Sequence, residues 1–127
     1  TNRGHQPNQL PSTEALSKAV DFSIQANVEC TLINCSHADI ASNSIRELAR
    51  TPKFGIFANS STFKEIDLSI STKDIDAIHH LNSEIISAKE YAKIALNWAK
   101  EGAYVVGGCC GTTVEHTKQI KLLLETL

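Results

Sequence analysis

No apolar run in this 127-residue chain is long enough to span a bilayer; the longest, such as Ala103 to Val106, suffice for a strand and no more. The opening Thr1-Asn2-Arg3-Gly4-His5-Gln6-Pro7 also lacks the apolar stretch of a secretory leader. A cytoplasmic protein is expected. Excess positive charge is missing too: 12 Lys and Arg stand against 14 Asp and Glu, a net charge of -2. There is no basic field to hold a phosphate backbone or anionic lipid, so neither nucleic acid nor membrane is expected as a partner. No internal repeat or low-complexity segment interrupts the chain. With 42% hydrophobic and 20% charged residues, the composition excludes disordered and collagen-like classes and fits one ordinary globular domain.

Four cysteines are present, at positions 30, 35, 109 and 110. Adjacent cysteines rarely bridge each other, because neighbouring residues seldom reach the separation and torsion a disulfide needs. A pattern of long helices and short buried strands is also a poor fit to a disulfide framework, which belongs to small loop-rich domains. Thiols that stay reduced are available for metal or for chemistry.

Residues 1–11 are polar and read as an arm or loop, with the folded domain running over 12–127. Leu16, Ala19, Val20, Ser23, Ile24 and Asn27 fall near helical period, and Ser12 or Thr13 with Glu14 suits the start of that helix. Cys30 to Ile33 forms a short strand that ends in the polar Asn34-Cys35-Ser36-His37. A helix over roughly Ile40 to Ala49 closes at Thr51-Pro52, since the residue before proline disfavours the α region. A second strand, Phe54 to Ala58, again ends in polar residues, Asn59-Ser60-Ser61-Thr62. Residues 63–86 are mixed; Lys73 to Ile78 fits a helical turn within an excursion.

Ser87 and Glu90 form a capping box, in which each side chain satisfies an orphan backbone N–H of the first helical turn. The helix it opens places Tyr91, Ile94, Ala95, Trp98 and Ala99 on one face and ends at Gly102, a natural αL cap. A third strand, Ala103 to Val106, leads into Gly107-Gly108-Cys109-Cys110-Gly111. Thr112 and Glu115 offer a second capping box, and Ile120, Leu123, Leu124 and Leu127 give the last helix its buried face.

The order is therefore a helix followed by three strand-helix units. Strands apolar on both faces, alternating with amphipathic helices, indicate a parallel sheet with right-handed crossovers and an α/β fold. Chemistry in such folds gathers at the C-terminal ends of the strands. Asn34-Cys35, Asn59-Ser60 and Gly108-Cys109-Cys110 all lie there, so three of the four cysteines converge. Cys30 opens its strand at the far end and reads as a small buried hydrophobe.

Zinc takes thiolates in tetrahedral array, and a catalytic site leaves one of four positions open. Cys35, Cys109 and Cys110 would be such a set, with Gly107, Gly108 and Gly111 allowing the sharp turn or close approach that two adjacent ligands require. Inert core thiols and a Cys109/Cys110 redox pair are the alternatives on spacing alone. Gly107-Gly108 before a helix is also the form of a phosphate cradle, but no Lys-Ser/Thr follows and no G-x-G-x-x-G is present. His37 is a loop residue at the mouth of the site or a further ligand. His116 has a packing or capping role. Asn34 and Asn59 are candidate donors to sulfur or to substrate, against the simpler role of ending a strand.

These motifs resemble those of the homocysteine S-methyltransferase family, whose mark is a strand ending in Asn-Cys and a Gly-Gly-Cys-Cys-Gly-Thr run opening the last helix. Here they read Leu32-Ile33-Asn34-Cys35 and Gly107-Gly108-Cys109-Cys110-Gly111-Thr112-Thr113. The similarity continues through Asn59-Ser60, Tyr91-Ala92 and Trp98 to Ala103, covering about residues 12 to 127. Val114 and Thr117 stand where the family usually has proline and isoleucine, and Ser61 where it often has glycine.

The resemblance implies zinc on Cys35, Cys109 and Cys110, with Asn34, Asn59 and Ser60 on the substrate side. It implies transfer of a methyl group from S-methylmethionine or S-adenosylmethionine to L-homocysteine, forming methionine; the betaine-using relatives carry a long C-terminal extension. It also implies a (β/α)8 TIM barrel, of which these units look like the sixth to eighth, preceded by the fifth helix. A fragment, or a chain that self-associates through exposed sheet edges, is then expected, because an open three-stranded piece leaves unpaired edges. Such a piece is expected to be nearly inactive alone.

Overall fold

The computed structural model describes residues 15–63 and 83–127. The arm over 1–11, the helix start over 12–14, and the turn read at Lys73 to Ile78 lie outside the described residues, as do His5, His79 and His80.

Helix α1 (Leu16–Gln25) begins at Ala15, which supplies no side-chain cap. Its end is a Schellman closure: Val28 N–H donates to Ser23 O at 2.9 Å and Asn27 N–H to Ile24 O at 3.1 Å. Asn27 takes φ 53° there, so it is the cap and not part of the helical stripe. Strand β1 (Thr31–His37) runs well past the expected Ile33. The expected helix after it is two pieces, α2 (Ala38–Asn43) and α3 (Ile45–Leu48). Serine explains the break, since Ser42 and Ser44 hydroxyls donate back to Ala38 O at 2.8 Å and Ile40 O at 2.9 Å and compete for the helical carbonyls.

Strand β2 (Phe54–Asn59) is followed by a two-stranded antiparallel ribbon: β3 (Ser61–Phe63) begins in the polar residues expected to end the strand, and β4 (Ser83–Ile85) lies in the mixed stretch 63–86. Helix α4 (Ala88–Lys100) has the expected Ser87–Glu90 capping box. Its C-terminus is a second Schellman closure, with Ala103 N–H on Trp98 O and Gly102 N–H on Ala99 O. Ala103 is spent on that cap, and β5 (Val105–Gly108) starts two residues later than the apolar pattern indicated. The final helix is α5 (Val114–Leu124).

Strands β1, β2 and β5 form one parallel sheet in chain order. The α/β reading with parallel strand-helix units holds. One face packs Ile33, Phe54, Ile56 and Ala58 against the helical residues Leu48, Tyr91, Ala95 and Trp98, all buried. Trp98 anchors α4 to α2 by donating from Nε1 to Ser42 Oγ at 2.7 Å; truncating such a ring costs about 3–5 kcal/mol. On the other face the layers alternate large and small. A Cβ at Gly55 would lie 2.3 Å from Leu32 Cδ2 and 2.4 Å from Val105 Cγ1, so those two side chains occupy the space above it. Among the described residues, no helix is long and apolar enough to cross a membrane.

Candidate metal centre

The site forms where the three parallel strands end. β1 and β2 run in simple register from Thr31↔Phe54 to Asn34↔Phe57, then slip, so that His37 meets Asn59. The extra residue is a β-bulge, a device that re-aims a side chain. Cys35 lies within it at φ 61°, a left-handed conformation that costs an ordinary residue on the order of 1–2 kcal/mol. The strain turns the thiol from its place in strand alternation toward the end of β5.

There Cys35 Sγ lies 3.5 Å from Cys110 Sγ, although 75 residues separate them in sequence. Cys109 Sγ is 4.0 Å from Cys110 Sγ, and all three sulfurs lie within 4.8 Å of one another. Cys35 and Cys109 are half-buried and Cys110 is exposed. Cys30 stands before β1 at the opposite end of the sheet and is not in the group. Nor is His37, whose Nδ1 pairs with Ser61 Oγ at 2.8 Å.

The end of β2, the residue that follows it and Thr112 fix the Cys109-Cys110 backbone. Cys109 N–H donates to Ala58 O at 2.8 Å, and Ser60 N–H donates to Cys110 O at 3.0 Å. Cys110 N–H donates to Asn59 Oδ1 at 3.1 Å. Thr112 completes the set, with its hydroxyl 2.7 Å from Cys109 O. All four polar backbone groups of the cysteine pair are therefore bonded, three of them to residues 58–60. Asn34 is half-buried and stands in register with Phe57 of β2. Ser60 is buried beneath Gly111.

The glycines divide their work. Gly111 takes φ 76°, and an added Cβ would fall 2.7 Å from Ser60 Oγ. Gly107 instead provides room, because the Phe57 ring lies 2.8 Å from where its Cβ would be. The second capping box is also not the expected Thr112–Glu115 pair. Thr112 is engaged with Cys109, so Thr113 takes the cap position and donates its N–H to His116 Nδ1 at 3.1 Å. Nδ1 thus accepts, leaving the proton on Nε2, 3.5 Å from Ile86 O. Ile86 N–H in turn donates to Ser60 O at 2.9 Å.

Sequence reasoning missed Ala58, Thr112 and Tyr91 as supports of this site. Tyr91 was visible only as one residue of an apolar helical stripe, yet its hydroxyl reaches the carbonyls of Ala58 and Gly107. Nothing in local spacing could show that contact.

The three thiols fit a soft tetrahedral ion. Metal–sulfur bonds of about 2.3 Å require sulfurs roughly 3.8 Å apart, and the distances of 3.5 and 4.0 Å straddle that value. The free Cys110 thiol holds its proton: the hydrogen bond with Cys35, then burial, then the contact with Cys109 push its pKa up to about 11. Only a cation at the centre makes three adjacent thiolates favourable at neutral pH.

The fold and site define an α/β protein with a cluster of three thiols at the C-terminal ends of a parallel sheet, a group that could hold a soft metal ion. The chain matches the homocysteine S-methyltransferase family over residues 2–124. It belongs to the homocysteine S-methyltransferase family. A search of curated proteins found no significant match.

Proposed function

We propose that this protein transfers a methyl group from S-methylmethionine or S-adenosylmethionine to the sulfur of L-homocysteine, with zinc held by Cys35, Cys109 and Cys110. The observation that carries this reading is the convergence of three sulfurs within 4.8 Å in a chain of this family. Zinc bound there would take the homocysteine sulfur at its open position and keep it a thiolate at neutral pH. In the transfer, a carbon–sulfur bond forms to homocysteine as the bond from the methyl group to the donor sulfonium breaks, its electron pair remaining on the donor sulfur.

The chain's own residues hold the geometry. The bulge at Cys35 presents one thiol, and Ala58, Asn59, Ser60 and Thr112 fix the other two. With Oδ1 of Asn59 engaged by Cys110, its amide NH2 remains as a donor for a substrate carboxylate; Asn34 and Ser60 complete the proposed substrate side. A redox role for Cys109/Cys110 has less support, because the nearest sulfurs are Cys35 and Cys110.

The reading extends to a (β/α)8 barrel in which further strands pair with the outer edges of β1 and β5, which carry no strand partner among the described residues. Donor recognition would then depend on those strands, and the 127 residues alone would turn over poorly, because misplacing the reacting sulfurs forfeits much of the roughly 7–11 kcal/mol that orientation can supply. The test is methionine formation from homocysteine with each donor, by this chain and by a longer one bearing upstream strands. Zinc-dependent turnover by the longer chain, abolished by Cys35→Ala and retained in Cys30→Ser, is expected. A zinc-loaded longer chain that methylates homocysteine with neither donor would refute the proposal.

A further inference from the structure

The hydroxyl of Tyr91 sits at the seam between β2 and β5, 2.7 Å from Ala58 O and 2.9 Å from Gly107 O. The paired part of the seam ends at Ala58↔Gly108. Beyond that rung, one strand delivers Asn59 and Ser60 and the other delivers Cys109 and Cys110. Ala58 O is the same carbonyl that accepts the Cys109 amide. A single hydroxyl thus touches both strands immediately below the point where they must hold two sulfurs.

Packing does not require a hydroxyl here. The Tyr91 ring is fully buried and meets Trp98 and His116 edge-on, with centroids 5.7 and 5.6 Å away; phenylalanine would fill the same space. A buried hydroxyl is a liability unless it is bonded, and this one spends its proton on the two strand carbonyls. Burial pushes the phenol pKa well above its ordinary value, so it remains a neutral donor.

If the seam opens at this rung, three bonds lengthen together: Cys109 N–H to Ala58 O, Cys110 N–H to Asn59 Oδ1, and Ser60 N–H to Cys110 O. Cys35 is held by β1, on the other side of β2, and cannot follow. A metal site tolerates about half an ångström of such displacement before its function suffers.

We propose that Tyr91 is a positioning residue for the metal centre: its hydroxyl clasps β2 to β5 one rung below the cysteines and sets the spacing at which Cys109 and Cys110 meet Cys35. This rests on the reading of those three cysteines as metal ligands. The hydroxyl acts through the backbone and touches neither metal nor substrate.

The experiment compares the wild type, Tyr91→Phe and Trp98→Phe. Zinc affinity is measured by chelator competition, and ligand geometry by the thiolate-to-cobalt absorption bands at saturating cobalt. Trp98→Phe, on the same helix as Tyr91, is the control, since it keeps an aromatic ring beside Tyr91 and loses the half-buried bond to Ser42 of α2 without removing either bond to the seam. Tyr91→Phe is expected to weaken zinc binding about tenfold or more and to alter the cobalt spectrum, while Trp98→Phe lowers the urea midpoint but keeps zinc affinity within about twofold and a wild-type spectrum. The saturated spectrum reads geometry whatever the stability of the metal-free chain, so a wild-type spectrum in Tyr91→Phe overturns the inference. An equal loss of affinity in Trp98→Phe overturns it too, because the effect would be general loosening. A wild type that binds neither metal brings down the ligand reading itself and this inference with it, an outcome distinct from the first two.

Discussion

The amide of Cys110 donates to the side-chain oxygen of Asn59 at 3.1 Å, so the placement of one sulfur depends on a side chain from a neighbouring strand. Asparagine at the end of β2 is therefore part of the support of the site, whatever it also does for substrate. Asn59→Ala is expected to weaken zinc binding about 10- to 100-fold, the usual cost of losing a partner that orients a ligand. Asn59→Asp keeps an acceptor at the same place and should retain a stoichiometric site. Chelator competition on both variants checks this, and equal affinities in Asn59→Ala and wild type would remove Asn59 from the support.

Cys35 is the thiol whose backbone is strained, at φ 61°. Glycine adopts that conformation without the Cβ penalty, although it loses more freedom on folding. Comparing Cys35→Gly with Cys35→Ala isolates the strain, because both lack the thiol and neither can complete the metal site. The glycine variant is expected to be the more stable by up to about 1 kcal/mol in urea unfolding of the metal-free protein. Should the alanine variant prove equally stable, the left-handed turn at Cys35 would be cheap, and the bulge alone would account for the thiol's direction.

Much of this site was legible because its residue types are rare and its position follows from topology. Asn34-Cys35 and Gly108-Cys109-Cys110 stand at strand ends, and parallel strands bring their C-terminal ends together whatever their separation in sequence. The Ser87–Glu90 box and the Gly102 cap were readable for the same reason, since each is a local motif with a local cause. What stayed hidden depends on contacts between distant segments or on competition for a hydrogen bond. Thr112 could not be both a helix cap and a partner of Cys109 O, and only the folded chain decides between them. Ala103 looked like strand and was taken by a Schellman closure. Tyr91 looked like core and proved to carry a hydroxyl to two strands.

The Cys110 thiol gives the metal-free protein a pH-dependent weakness. In an unfolded chain a cysteine ionises near about 8.5, whereas in the fold Cys110 is pushed up to about 11 by its hydrogen bond with Cys35, then by burial and by Cys109. Between those values the unfolded chain has released a proton that the folded one keeps, so stability is fully present below the lower value and falls as pH rises toward the upper. Burial of Tyr91 acts in the same direction. The urea midpoint of the metal-free protein should therefore drop between pH 8 and pH 10.5. Cys110→Ser removes the thiol's share and should flatten the drop in part, and loaded protein should lose the thiol share too, because its cysteines are already deprotonated. A midpoint that rises over this range would contradict the assigned direction.

Gly111 combines two requirements that a double-mutant cycle can separate. Its φ of 76° penalises any side chain, and a Cβ there would fall 2.7 Å from Ser60 Oγ, a separation at which something must move. Ser60 itself is buried and its N–H holds Cys110 O, so the strand end cannot retreat without disturbing the cysteine. Gly111→Ala is expected to cost about 2 kcal/mol, roughly half from backbone strain and half from the clash. Ser60→Ala alone keeps the backbone bond to Cys110 and should cost less. In the double variant the clash disappears, since the remaining Ser60 Cβ lies 3.9 Å from the added carbon, while the strain persists. The two changes should therefore couple favourably by about 1 kcal/mol in urea unfolding, and zinc affinity lost in Gly111→Ala should partly return. Strict additivity would show that the backbone angle alone requires glycine at this position and that Ser60 does not limit the approach of the Cys110 loop.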